Sequence, residues 1–146
     1  MSFFESFGIS SSGMTANRLW LDLISNNIAN INTAGIPGDS SRPVYRRNVP
    51  VFSELLNMAA GSVPGQELHK EAGVHVPRVI QDSAEPKMIY DPSHPYANQE
   101  GYVAYPNINI ANEMVNMIAA SRAYDANVTV LEAGKGIAAR ALDILR

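Results

Sequence analysis

The chain has 146 residues, of which 46% are hydrophobic and 17% charged, and a net charge of −3. That length suits one domain with a modest core, and the absence of a lysine or arginine run excludes the basic footprint of a nucleic-acid-binding module. There is no cysteine, which excludes a disulfide framework and a thiolate metal site. No run of about 18 uncharged apolar residues exists, so the sequence predicts no membrane-spanning segment.

The chain opens Met1-Ser2-Phe3-Phe4-Glu5, and its first basic residue is Arg18. A cleavable secretory signal needs a positive amino-terminal region, so the sequence predicts a protein that is cytoplasmic or exported without one. A helix is expected from about Glu5 or Ser10 to about Asn30. Along it Phe7, Ser10, Met14, Asn17, Leu21, Ile24, Ile28 and Ile31 follow the alternating three- and four-residue spacing of a coiled-coil seam. Trp20 and Leu23 widen the apolar face. Asn17 is a polar residue inside the seam, which either fixes register or sits at a wet edge. Asn26, Asn27, Asn30 and Asn32, then Gly35, read as a stop rich in residues that accept left-handed backbone angles.

From Gly35 to Pro106 the composition changes, and all nine prolines lie in this stretch. Residues 36–44 read as a loop. Asn48–Phe52 and Val74–Ile80 show short alternating β-branched patterns and read as strands. Ser53–Ala60 reads as one or two helical turns and Gly61–Gly65 as a flexible connection. Pro86–Tyr90 is a short strand, ended by the turn Asp91-Pro92-Ser93-His94-Pro95. Gly101–Tyr105 is a further extended piece.

The last stretch, Asn107 to Arg146, is expected to be one helix, because no proline follows Pro106. Its length would be roughly 58 Å. Met114, Met117, Ser121, Tyr124, Val128, Leu131, Lys135, Ala138, Leu142 and Leu145 form a second seam. Val130, Ile137 and Ile144 repeat every seven residues as another apolar line beside it. A helix apolar on more than one side is buried by neighbours on more than one side. Ala133, Gly134, Gly136, Ala138, Ala139 and Ala141 cluster nearby. Each interior glycine costs the helix about 1 kcal/mol relative to alanine, so Gly134 and Gly136 predict close approach of another backbone. The bland alternative is one long element of an ordinary bundle.

No catalytic or metal constellation emerges. His69, His75 and His94 lack any i, i+4 pairing. His75 alternates with Val74 and Val76 and reads as the outward residue of a strand. Gly134-Lys135 resembles the end of a phosphate loop, but Thr129 stands where the first glycine belongs and Gly136 where serine or threonine belongs. Ser10-Ser11-Ser12-Gly13 lacks the nucleophile-elbow pattern. Asp82, Asp91 and Glu100 are dispersed in turns. No cofactor is expected.

Two motifs match a known family. Ser25-Asn26-Asn27-Ile28-Ala29-Asn30-Ile31-Asn32-Thr33-Ala34-Gly35 resembles the amino-terminal signature of flagellar rod, hook and filament-cap-region axial proteins, an Asn-x-x-Ala-Asn core followed by Thr and Gly. Tyr45-Arg46 looks like that family's aromatic-basic pair, displaced by the loop at 36–44. The more specific match starts at Tyr90-Asp91-Pro92-Ser93-His94-Pro95 and continues through Gly101-Tyr102-Val103 and Pro106-Asn107-Ile108. It then takes in Glu113-Met114-Val115-Asn116-Met117 and ends at Ala120-Ser121-Arg122-Ala123-Tyr124-Asp125-Ala126-Asn127. That series is similar to the rod proteins of the flagellar basal body.

The resemblance implies a structural subunit of the proximal rod, the drive shaft that carries torque from motor to hook. It implies export through the flagellar type III apparatus, a place outside the cytoplasmic membrane in the periplasm or cell-wall space, and termini that order on assembly. The implied partners are other proximal and distal rod subunits, the adaptor protein of the MS ring and the export apparatus. The expected fold is mainly α: an N-terminal helix over 1–34, an irregular β-rich middle over 35–106, and a C-terminal helix over 107–146, the two helices forming a coiled-coil-like pair. The expected assembly contacts are Met14, Asn17, Trp20, Leu21, Ile24, Ile28 and Asn30 on the first helix. On the second they are Met114, Met117, Tyr124, Val128, Leu131, Gly134, Gly136, Ala138, Leu142 and Leu145. The competing reading is a soluble helical adaptor or export chaperone that uses the same seams for one partner.

Overall fold

A computed structural model describes residues 3–38, 42–55 and 73–144. The element order is α1 (Phe3–Ala29), β1 (Asn48–Leu55), β2 (Gly73–Gln81), β3 (Lys87–Tyr90), β4 (Tyr102–Tyr105) and α2 (Ile110–Ile144). Two long helices therefore flank a small strand-containing middle, as the periodicity predicts. Leu145 lies outside the described residues, as do the expected connection at 61–65 and His69.

Helix α1 runs 27 residues without proline. Its end does not use a left-handed residue: among the described residues, positive φ occurs only at Gly38 and Gly101. The helix tightens instead. The Ile31 N–H donates to the Ile28 carbonyl at 3.3 Å and the Thr33 N–H to the Asn30 carbonyl at 3.1 Å. The Asn30 side chain donates to the Asn26 carbonyl at 2.8 Å. The helix thus closes as the backbone N–H groups of Ile31 and Thr33 recapture the carbonyls of Ile28 and Asn30, while the Asn30 side chain adds a second bond to a carbonyl already paired in the helix, and no asparagine takes a left-handed angle.

Helix α2 starts later than expected. Asn109 caps it, its Oδ1 accepting from the N–H groups of Ala111 at 2.9 Å and Asn112 at 3.3 Å. Residues 107–109 stay extended because Ile108 is buried at 2% exposure, which fixes the chain before the cap. The helix then runs 35 residues, about 52 Å. Asn127 and Thr129, poor helix formers, turn their side chains back onto the carbonyls of Ala123 and Asp125.

Strands β1 and β2 form one two-stranded sheet and β3 and β4 another. Strand β1 runs to Leu55, so Ser53–Leu55 is extended where a helical turn is expected; residues 56–60 lie outside the described residues. Pairing with β2 supplies a ladder there and outweighs the helix propensity of Glu54 and Leu55, which three residues are too few to express as a helix. In the second sheet the register pairs Lys87 with Tyr105, Met88 with Ala104, Ile89 with Val103 and Tyr90 with Tyr102, antiparallel.

The chain divides into two compact units. One contains Met1–Leu19, Val51–Arg78 and Ala119–Arg146; the other contains Trp20–Pro50 and Val79–Ile118. Each helix contributes one part to each unit. The first unit buries Ser10, Gly13, Ala16 and Ala120. The second buries Ile24, Asn27, Val103, Ala104, Ile108 and Glu113. The first core is made of small residues, whereas the second joins the apolar Ile24, Val103 and Ile108 to the buried polar pair Asn27 and Glu113.

Candidate functional site: a polar latch and outward helix faces

In the second unit three segments meet at a buried polar cluster. Asn27 and Glu113 are each 1% exposed. The Asn27 amide donates to Glu113 Oε2 at 3.1 Å and to the Asn48 carbonyl at 3.0 Å. Its Oδ1 accepts from the Asn48 N–H at 2.9 Å and the Tyr45 hydroxyl at 3.0 Å. Both donors and both acceptor positions of Asn27 are thereby filled. Arg47 Nε closes the cluster on Glu113 Oε1 at 2.7 Å. A buried carboxylate needs a charge partner and further donors to offset its lost hydration, and Arg47 and Asn27 supply both. The latch ties the end of α1, the segment 45–48 and the first turn of α2.

Other residues of the quoted motifs and the segments beside them have equally concrete jobs. The Gly35 N–H and carbonyl pair with Ala104 at 2.9 and 3.2 Å. A Cβ on Gly35 would stand 2.9 Å from Val44 Cα, so only glycine fits. Gly101 has φ +82°, and a Cβ there would also meet Tyr90 at 2.9 Å. Asp91 Oδ1 accepts from the Ser93 hydroxyl at 2.7 Å and the Ser93 N–H at 3.1 Å. The Ser93 hydroxyl bond is the main cause that holds the Asp91 carboxyl below its ordinary range. Arg42 stacks over the Tyr96 ring at 5.1 Å. Of the aromatic-basic pair singled out in the sequence, Tyr45 enters the latch; Arg46 is exposed, and the neighbouring Arg47 carries the ion pair.

In the first unit Gly13 faces Asn127: a Cβ on Gly13 would lie 3.0 Å from its side-chain amide. Ser12 Oγ accepts from the Val74 N–H at 3.1 Å and donates to the Ile9 carbonyl at 2.7 Å. Gly134 faces the Phe7 ring, 3.2 Å from where its Cβ would be. Within the chain, the close neighbour of Gly134 is thus a side chain and not a backbone. Gly136 has open space around it. His75 is half-buried, not outward, and its Nδ1 is buried without a hydrogen-bond partner.

The inward line on α2 is Glu113, Ala120, Asn127 and Gly134, spaced by sevens. On α1 it is Ser10, Gly13, Ala16, Ile24 and Asn27. The two seams marked by bulky residues run beside these lines. Ile24 is buried; Met14, Asn17, Trp20, Leu21, Ile28 and Asn30 are half-buried. Met117, Tyr124, Val128, Leu131, Gly134, Gly136 and Ala138 are also half-buried. Met114 is 55% and Leu142 68% exposed. The second line faces solvent: Val130 is 55%, Ile137 60% and Ile144 85% exposed. Asn27, Arg47 and Glu113 were not among the expected site residues. The signal available for two of them was their place in the quoted motifs, Asn27 in the amino-terminal signature and Glu113 at the start of Glu113–Met117, and Arg47 is marked only by its place beside Tyr45-Arg46.

Among the described residues no group of histidine and carboxylate side chains is placed to hold a metal ion, and no helix is long and apolar enough to cross a membrane. Family models match both ends of the chain. The model described as "Flagella basal body rod protein" covers residues 8–35, and that described as "Flagellar basal body rod FlgEFG protein C-terminal" covers residues 99–144. These spans hold Asn27, Gly35, Gly101 and Glu113. Over 100% of its length the chain is 39% identical to the flagellar basal-body rod protein FlgC of Borreliella burgdorferi, covering 99% of that protein. The chain belongs to the FlgC family of flagellar basal-body rod proteins. It is 36% identical to the Bacillus subtilis member over 99% of each chain. It is 35% identical to that of Escherichia coli O6:H1 over 99% of this chain and 98% of the other. The family is structural, not enzymatic.

Proposed function

We infer that the chain is a structural subunit of the proximal flagellar rod, polymerising through its terminal helices into the shaft that transmits torque from motor to hook. Its neighbours are other rod subunits and the MS-ring adaptor, it leaves the cytoplasm through the flagellar type III apparatus, and it works in the periplasm or cell-wall space. The observation that carries this reading is the end-to-end likeness to FlgC proteins combined with the solvent-facing line Val130, Ile137 and Ile144. A monomeric helix that exposes such a line leaves it for a neighbour to cover. The bulky half-buried residues beside it, Met117, Tyr124, Val128 and Leu131, lie where a second neighbour completes their burial.

The double variant Val130→Asp with Ile137→Asp tests the reading. Both positions are more than half exposed in the single chain, so the subunit's own fold stays intact. In cells lacking their own copy, the variant is expected to be exported at the normal level and to give no complete basal bodies by electron microscopy. Normal rods with this variant would overturn the reading.

A further inference from the structure

Strand edges attract partners unless they are blocked. Strands β1 and β2 carry Pro50 and Pro77, which remove a donor from each. The outer edge of β4 is closed: Ala104 pairs with Gly35, and Tyr102 bonds Asn98 through both its carbonyl at 2.9 Å and its N–H at 2.8 Å. The outer edge of β3 is different. The pairing of Ile89 with Val103, and the Asp91 N–H donating to the Gly101 carbonyl, turn the backbone groups of Lys87, Ile89 and Asp91 toward β4. Those of Met88 and Tyr90 therefore point outward. No hydrogen bond from another described residue reaches them. Met88 is 48%, Ile89 50% and Tyr90 65% exposed.

We propose that this edge pairs with the same edge of a second copy, antiparallel, about a two-fold axis at Ile89. The sequence is self-complementary in that register. Met88 stands opposite the second copy's Tyr90, a thioether against an aromatic ring. Ile89 stands opposite Ile89, and Lys87 opposite Asp91, so each end of the pair matches an ammonium with a carboxylate. Shifting the register by two residues loses both charge matches. The contact is isologous and closes at two copies, unlike the head-to-tail contact of a polymer. It is short beside the roughly 800 Å² per partner of a stable interface, so the pair exchanges quickly and forms at high concentration. The rod reading is independent of it, because the pair uses none of the outward α2 line.

The chain has no cysteine, which makes the register directly testable on the full-length protein. Ile89→Cys places one thiol at the axis, where facing Cα atoms in a non-hydrogen-bonded pair are about 4.5 Å apart. Under mild oxidation it is expected to form a disulfide dimer faster than Glu100→Cys, an exposed position off the edge. Adding Met88→Pro removes an outward N–H and no β3–β4 bond, and should slow cross-linking about tenfold, the loss of one hydrogen bond on each side of the axis. Lys87→Glu sets two acidic groups against each other; it should slow cross-linking at low salt and recover at high salt. Cross-linking of Ile89→Cys no faster than Glu100→Cys would overturn the proposal. So would a rate insensitive to Met88→Pro in a chain that keeps its native circular dichroism. Should Met88→Pro unfold the chain, a rate unchanged by Lys87→Glu at low salt overturns the proposal by itself.

Discussion

Glu113 is a carboxylate almost wholly removed from water, and its two oxygens are shared between a cation and an amide. Removing either partner leaves the other bonds in place but strands part of a buried charge. Arg47 is 27% exposed, so water partly compensates there, and Arg47→Met should lower stability by about 1–3 kcal/mol. Asn27→Ala strands the Tyr45 hydroxyl, the Asn48 N–H and Glu113 Oε2 together, and about 3 kcal/mol is expected. Urea unfolding of the purified chain checks both, with Asn27→Ala giving the lower midpoint. Asp91 offers a separate test by pH. Its carboxyl is held below the ordinary value of 3.8, first by the Ser93 hydroxyl. A depressed folded pKa contributes stability that is complete above the ordinary value and is lost as pH falls through the lower one. Ser93→Ala should raise the Asp91 titration midpoint toward 3.8, followed by carboxyl-carbon NMR.

At the scale of elements, both helices and the four strands of the described residues, with the break in composition between the helices, were legible in the sequence, because periodicity and proline placement report backbone conformation directly. The faces were less legible. Bulky apolar residues mark the seams Met14–Ile28 and Met117–Leu131, yet Gly13, Ala16, Ala120, Asn127 and Gly134 occupy the inward lines. Small residues let elements approach closely and leave no hydrophobic mark, and Asn27, legible as part of a helix stop, and Glu113, legible as part of a motif, give no sign in the sequence that they bond to each other. Gly134 and Gly136 separate these effects. Gly136→Ala meets open space within the chain, so the helix should gain about 1 kcal/mol. Gly134→Ala gains the same propensity but presses on the Phe7 ring, so its net change should be close to zero. Thermal melts of the two single variants give the comparison. If Gly136→Ala then stabilises the free chain but lowers rod yield, a neighbouring subunit packs against that position, as the sequence predicts.

For the whole molecule, one unit is closed around small residues and the other around Ile24, Val103, Ile108 and the polar latch, and much of the bulky apolar surface of α2 is left outside. Val115 is 65% and Ile118 54% exposed in one unit, and Val130, Ile137, Leu142 and Ile144 continue the pattern in the other. Fully burying one such side chain is worth about 1.5–3 kcal/mol, so a neighbour covering three of them gains on the order of several kcal/mol per contact. That is enough to drive assembly when repeated along a shaft. The most direct measurement uses Ile137→Cys, again the chain's sole thiol. This thiol should react freely with a maleimide in the dilute chain and be protected in isolated rods, with reactivity restored when the rods are dissociated. Equal reactivity in rods and in the free chain would contradict the claim that the outward α2 line is a subunit contact.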